Sequence, residues 1–219
     1  MVKANVYHCK KCNRHYLVSN KGKCMNCNST MSVKKIEAHP LEDSEPSISQ
    51  MVGFFIALLT FPGVILHEFS HKKFCDWFGV KVLKVKYFGV PKGNGPLGYV
   101  VHEKPKKFRQ TFFISTGPFM LNSIFAILFY FLYFIIPVPY LFAWLGFSSA
   151  LHAFPSSGDA YSLWYETKRH MKDNILAVVG FPIAILIWIA NGLSMVWFDV
   201  MYAGLLFFLS EYWLSVLLL

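Results

Sequence analysis

Five apolar stretches follow Gln50, near 51–74, 111–136, 138–157, 175–193 and 199–218. They constrain this chain more than any other feature. Each is close to the roughly 20 residues a helix needs to cross the hydrocarbon of a bilayer. Backbone groups find no water there, so such segments cross only as helices or as closed barrels. Long continuous apolar runs, without strict alternation, select helices. Composition agrees: 55% of the 219 residues are hydrophobic, 18% aromatic and only 15% charged, against about a quarter charged in soluble domains. The expectation is a mainly α, polytopic helical membrane protein.

The second and third stretches are joined by "IIPVPY", a short uncharged turn. The basic residues collect elsewhere. Loop 75–110 carries Lys81, Lys84, Lys86, Lys92, Lys104, Lys106, Lys107 and Arg109, and loop 160–174 carries Lys168, Arg169 and Lys172. Positive loops stay on the cytoplasmic side, so both are expected there. They account for much of the excess of 21 Lys and Arg over 12 Asp and Glu. The expected partner is therefore the lipid bilayer and not nucleic acid.

The first stretch contains "LTFPGVILHEFSHKKFCDWFGV", Leu59 to Val80. It places His67, Glu68 and His71 in an apolar setting, where a charged group at mid-bilayer costs about 2.5–3.5 kcal/mol on insertion scales and marks a functional site. His67 and His71 are four positions apart, so a helix projects both from one face. That spacing lets two imidazoles hold one zinc ion, with Glu68 as general base. A third ligand is required. "LHAFPSSGDAYSLW" supplies Asp159 near the cytoplasmic end of the third stretch, beside the helix breakers Pro155 and Gly158; His152, His102 and Glu166 are alternatives. "FFISTGPFMLNSIFA" sets Asn122 in an apolar helix, where its amide can bond a substrate backbone or bind helices together. Cys75 reads as a buried free thiol. The break "TFPG", Thr60 to Gly63, permits either a kinked crossing or a re-entrant path.

Residues 1–30 differ in kind. Cys9, Cys12, Cys24 and Cys27 form two C-x-x-C pairs, a spacing that completes a tetrahedral Cys₄ site. So short a segment has no adequate core, and metal binding would supply most of its folding free energy. The pattern resembles a zinc ribbon, with a structural Zn²⁺. Residues 31–50 are polar, carry two prolines and read as a partly extended linker, leaving 51–219 as the membrane domain. Within it, 80–103 holds two β-rich runs around a Pro- and Gly-rich turn, as in a β-hairpin. A free edge there could pair with an extended peptide.

In order, H-E-F-S-H, G-P-F-M-L-N and F-P-S-S-G-D on successive segments resemble the core of the site-2 protease family, intramembrane zinc metalloproteases. The resemblance covers about 51–165. It implies hydrolysis of membrane-protein or membrane-tethered peptide substrates at a catalytic Zn²⁺. By position, His67, His71 and Asp159 would be its ligands, Glu68 the base and Asn122 a substrate-positioning residue. The family's acid is followed by glycine, whereas here Gly158 precedes Asp159 and Ala160 follows. Other readings are a metalloprotease closed by a glutamate (Glu166 or Glu211), a non-catalytic zinc-binding scaffold or adaptor, and a metal transporter. Two metal sites predict two zinc ions per chain. Elemental analysis of purified protein should read one fewer for Cys24→Ala and one fewer for Asp159→Ala.

Overall fold

The computed structural model describes residues 2–9, 14–16, 30, 32–38, 48–89, 96–172, 174–194 and 197–218. The chain divides into two compact units, Met1–Ser47 and Ile48–Leu219.

In the first unit, β1 (Val2–Cys9), β2 (Arg14–Tyr16) and β3 (Ser32–Ala38) form an antiparallel sheet in the order β2-β1-β3. Cys9 ends β1 in register with Arg14. Cys12, Cys24 and Cys27 lie outside the described residues, and so does the cage expected of them. The segment expected as a linker holds β3, paired from Val2 with Ala38 to His8 with Ser32. Its strand character comes from that partner, since "SVKKIEA" has no strict alternation of its own.

The second unit is mainly helical. Its elements are α1 (Ile48–Leu59), α2 (Phe61–Trp77), β4 (Val82–Lys86), β5 (Tyr99–His102), α3 (Phe108–Ile135), α4 (Pro139–Leu151), α5 (Ser157–His170), α6 (Ile175–Leu193) and α7 (Phe198–Leu218). Among the described residues three helices are long and apolar enough to cross a membrane: Phe108–Ile135, Ile175–Leu193 and Phe198–Leu217. The first apolar stretch is a bent pair and would make a fourth span if it crosses as one. The third stretch falls short. Helix α4 has 13 residues, and at 1.5 Å per residue such a helix reaches about 20 Å, against about 30 Å of hydrocarbon. The backbone leaves α4 before Pro155, which lacks an N–H to continue it.

The segment expected as loop 160–174 is largely helix α5. Its start is a reciprocal cap in which the Ser156 side chain accepts from the Asp159 N–H while the Asp159 side chain accepts from Ser156 N–H. Its last turn holds Lys168, Arg169 and His170, charges that complement the negative end of the helix dipole. The hairpin expected over 80–103 is present: β4 and β5 pair antiparallel, Val85 opposite Val100 and Lys86 opposite Tyr99, with an irregularity between Val82 and Lys84.

Helices α1 and α2 meet at an angle of 86°, at the "TFPG" break. Pro62 opens α2, where its missing N–H removes no helical bond. A break inside an apolar protein orphans backbone groups, and α4 supplies their partners. The Trp144 indole N–H donates to the Leu59 carbonyl at 2.9 Å. The Ser148 hydroxyl donates to the Thr60 carbonyl and accepts from the Gly63 N–H, both at 2.7 Å. Gly63 is required by this approach, because a Cβ there would lie 1.9 Å from the Ser148 carbonyl oxygen.

Small residues carry the other close contacts, with Ala126, Ala150 and Ala203 in one cluster and Ala160, Ala177 and Ala184 in another. Tight approach of this kind drives helix association where the solvent is itself apolar. The outer faces expose Ile124, Leu186, Ile189, Met201, Leu205 and Phe208, a surface suited to lipid. Gly63→Ala should force α2 away from α4, since backbone cannot yield as a flexible side chain does. Thermal unfolding in detergent should show a midpoint lowered by several degrees, with Gly53→Ala, which meets nothing within 4 Å, as the neutral control.

Candidate metal centre

His67 and His71 lie one turn apart on α2, and their rings meet edge to face with centroids 4.9 Å apart. The hydrogen bonds of their Nδ1 atoms set the chemistry. His67 Nδ1 bonds the carbonyl of His152 at 2.8 Å, and His71 Nδ1 bonds the carbonyl of Ile114 at 2.9 Å. A carbonyl only accepts, so each Nδ1 carries the hydrogen and each neutral ring presents Nε2 as a bare lone pair. The two Nε2 atoms are 3.2 Å apart. Two lone pairs that close, in a site where His71 is buried, repel unless a proton or a cation lies between them.

Both accepting carbonyls are freed by interrupted helices. Ile114 lies four residues before Pro118, which sits inside α3 and has no N–H to give it. His152 is the C-cap of α4, beyond the last residue with an intrahelical claim on its oxygen. The His152 ring is otherwise engaged. The Thr60 hydroxyl gives its hydrogen to the Ile56 carbonyl at 2.7 Å, and His152 Nε2 stands 2.8 Å from the Thr60 hydroxyl oxygen. His152 therefore serves the site through its backbone.

Asp159 enters from the first turn of α5. Its Oδ2 accepts from the Ser156 N–H at 2.9 Å and the Ser156 hydroxyl at 2.6 Å, and lies 3.5 Å from His71 Nε2. Burial opposes charge on this carboxyl. The Ser156 hydrogen bonds favour it, as does His71 whenever a proton takes the place of a cation on its Nε2, and with that proton in place they hold the carboxyl at about 2. Asn191 on α6 fixes the approach by donating to the Pro155 carbonyl at 2.9 Å. His67, His71 and Asp159 together offer one ligand atom each within 4.8 Å of one another and could hold a metal ion.

The alternative third ligands stand elsewhere. Glu166 is held by Lys104 at 3.1 Å, His170 at 3.5 Å and Arg169 at 4.0 Å. Glu211 is exposed on α7. The His102 ring bonds the Glu103 carbonyl at 2.7 Å. Cys75 is fully buried among Phe74, Val80 and Ile114.

Glu68 borders a cavity of about 300 Å³ together with His67, Pro96, Leu97, Gly98, Phe154 and Asp199. The return of the hairpin packs directly on it, since a Cβ on Gly98 would fall 2.6 Å from Glu68 Cγ. Asn122 is fully buried. Its amide nitrogen lies 3.0 Å from the His152 carbonyl and 3.2 Å from those of Gly63 and Ser149, while its oxygen faces the Ser70 hydroxyl at 3.4 Å. It ties α2, α3 and the end of α4 together and steadies the carbonyl on which His67 rests.

Asp199 and Asn191 were not among the expected site residues. Asp199 is a lone acid at the head of an apolar segment, and only the packing of α7 beside α4 brings it to this cavity. Comparison with protein-family models, curated proteins and solved structures finds no match for this chain.

Restoring an N–H at position 118 would give Ile114 back its helical partner and loosen His71. Pro118→Ala should therefore weaken metal binding about 10–100-fold, the usual cost of losing an outer-shell partner, with little change in fold. Competition with a chromophoric chelator measures it. Glu166→Ala should leave metal affinity unchanged.

Proposed function

We propose that this chain is a zinc-dependent intramembrane endopeptidase, of the kind the site-2 protease resemblance implies, acting on membrane-protein or membrane-tethered peptides. One observation carries the reading: two bare imidazole nitrogens and a carboxylate gather beside a glutamate on the wall of a cavity. The donor set fits zinc. Two ligands at about 2.0–2.1 Å in tetrahedral array stand roughly 3.3 Å apart; two of the three observed separations are 3.2 Å and 3.5 Å, and the third lies within 4.8 Å. Three protein ligands leave the fourth position open, as in catalytic sites. Second Nδ1 partners on both histidines are the usual support of such ligands.

A dication held there supplies Lewis acidity, acidifying water and polarising a peptide carbonyl. The residues of the chain supply the rest. Glu68 takes the proton from the attacking water on its carboxylate and returns it to the leaving amine. His67 and His71 hold their geometry through the His152 and Ile114 carbonyls. Asn122 acts as a positioning residue through His152. The β4–β5 hairpin, flush against Glu68 at Gly98, offers an edge on which an extended substrate strand could pair. This requirement for an extended backbone suits peptide-bond hydrolysis, because a helix sequesters its carbonyls.

The basic residues of β4, the hairpin return and α5 favour a cytoplasmic opening of the site. Cys9, Cys12, Cys24 and Cys27 are assigned a second, structural zinc. Glu68→Gln should keep its metal and lose cleavage by about 10²–10⁴-fold, the contribution of a general base. Co-expression with a membrane-tethered reporter, scored beside metal content, tests this. Full cleavage by that variant would remove Glu68 from the mechanism, and cleavage by a metal-free His67→Ala/His71→Ala double variant would end the metallopeptidase reading.

A further inference from the structure

Asp199 is the one carboxylate on the cavity wall that the proposed chemistry leaves idle. It stands in the first turn of α7 and lines the 300 Å³ cavity together with His67 and Glu68 of α2, Asn191 of α6 and Ser194 at the end of that helix. It also lines an adjoining, larger cavity of about 760 Å³ whose wall is mostly apolar: Val52, Ile56 and Leu59 of α1 and Trp144 and Phe147 of α4. The two cavities share Leu151, His152, Ser194 and Asp199, so the carboxylate sits where they meet.

Its hydrogen bonding is incomplete. The nearby Ser194 hydroxyl donates to the Ala190 carbonyl at 3.1 Å, and Asp199 Oδ1 is buried with no partner. None of the ion pairs among the described residues includes Asp199. A buried acceptor left open calls for an explanation, and a carboxylate partly withdrawn from water gains from a cation beside it. A first-turn acid favoured by the helix dipole explains the position in α7. It leaves unexplained why the side chain lines the junction of two cavities with no cation beside it.

We propose that Asp199 is the specificity-determining residue of the site, a subsite acid that receives a lysine or arginine side chain of the peptide whose carbonyl is presented to the metal centre. The proposal rests on the peptidase reading for the chemistry, and adds the class of substrate: a peptide with a basic residue beside the reacting bond. The stem of such a side chain can lie along the shared apolar wall of Leu151 while its charge meets the carboxylate. A neutral residue in that place would leave the carboxylate without a counter-charge, which is how a polar site discriminates against an analogue lacking its partner.

The test uses the full zinc-loaded chain in detergent and two peptide hydroxamates, identical except for lysine or its uncharged isostere norleucine, with dissociation constants read by competition. The lysine probe should bind wild type at least tenfold more tightly. Asp199→Asn should bring the ratio near one while norleucine affinity and zinc content stay as they were, and Asp199→Glu should keep most of the preference. A wild-type ratio near one overturns the proposal whether or not Asp199→Asn folds, and so does a preference that survives in Asp199→Asn. Hydroxamate binding needs the cation and no turnover. A chain that binds with the expected ratio but cleaves nothing therefore overturns the peptidase reading alone, and a chain that holds no metal and binds neither probe overturns both.

Discussion

In an apolar medium a backbone carbonyl without a partner costs several kcal/mol, and the architecture of the membrane unit follows from where such carbonyls are released. Three interruptions release them. The bend after Leu59 frees carbonyls that Trp144 and Ser148 reclaim. Pro118 frees Ile114, which His71 reclaims, and the end of α4 frees His152, which His67 and Asn122 reclaim. Two of the three repairs are made by the very imidazoles that face one another across the candidate site. Each histidine is thus fixed in tautomer and direction by satisfying a backbone that would otherwise be unstable. Fold and ligand geometry share the same hydrogen bonds.

This arrangement divides the labour among helices. Helix α2 carries both histidines and the glutamate, α3 and α4 lend acceptors, and the first turn of α5 delivers the carboxylate. Helices α6 and α7 stand behind that delivery, with Asn191 on the Pro155 carbonyl and Asp199 on the cavity wall. The hairpin closes the remaining side at Gly98. No part of this requires a large polar interior. A few well-placed amides and hydroxyls suffice.

Much of this was legible in the residues because it is local. Apolar runs mark α3, α6 and α7; the four-residue spacing marks one face of α2; alternation about a Pro-Gly turn marks β4 and β5; and Asp159 joins the histidines as its position suggested. What was not legible depends on neighbours distant in the chain. An apolar stretch from 138 to 157 reads as a span by hydropathy, yet Pro155 and the Ser156–Asp159 cap end α4 early and begin α5. The charges of 160–174 read as a loop because they are polar, and the cap that makes them helical is two residues long. The role of Pro118, inside α3, is invisible until the fold sets His71 beside Ile114. Nothing local to Asp199 marks it out, since only the packing of α7 brings it to the cavity. Ser32–Ala38 lacks an alternating pattern and becomes a strand only opposite β1.

The reciprocal cap at Ser156 has one more consequence. A single carboxylate both nucleates α5 and stands 3.5 Å from His71, so the order of that helix and the affinity for a cation are thermodynamically linked. Anything that grips the far, basic end of α5 and steadies it would tighten the cage by the same factor by which a bound ion steadies the helix. An anionic lipid headgroup or an acidic loop resting on Lys168 and Arg169 could thereby set the occupancy of a centre it never touches.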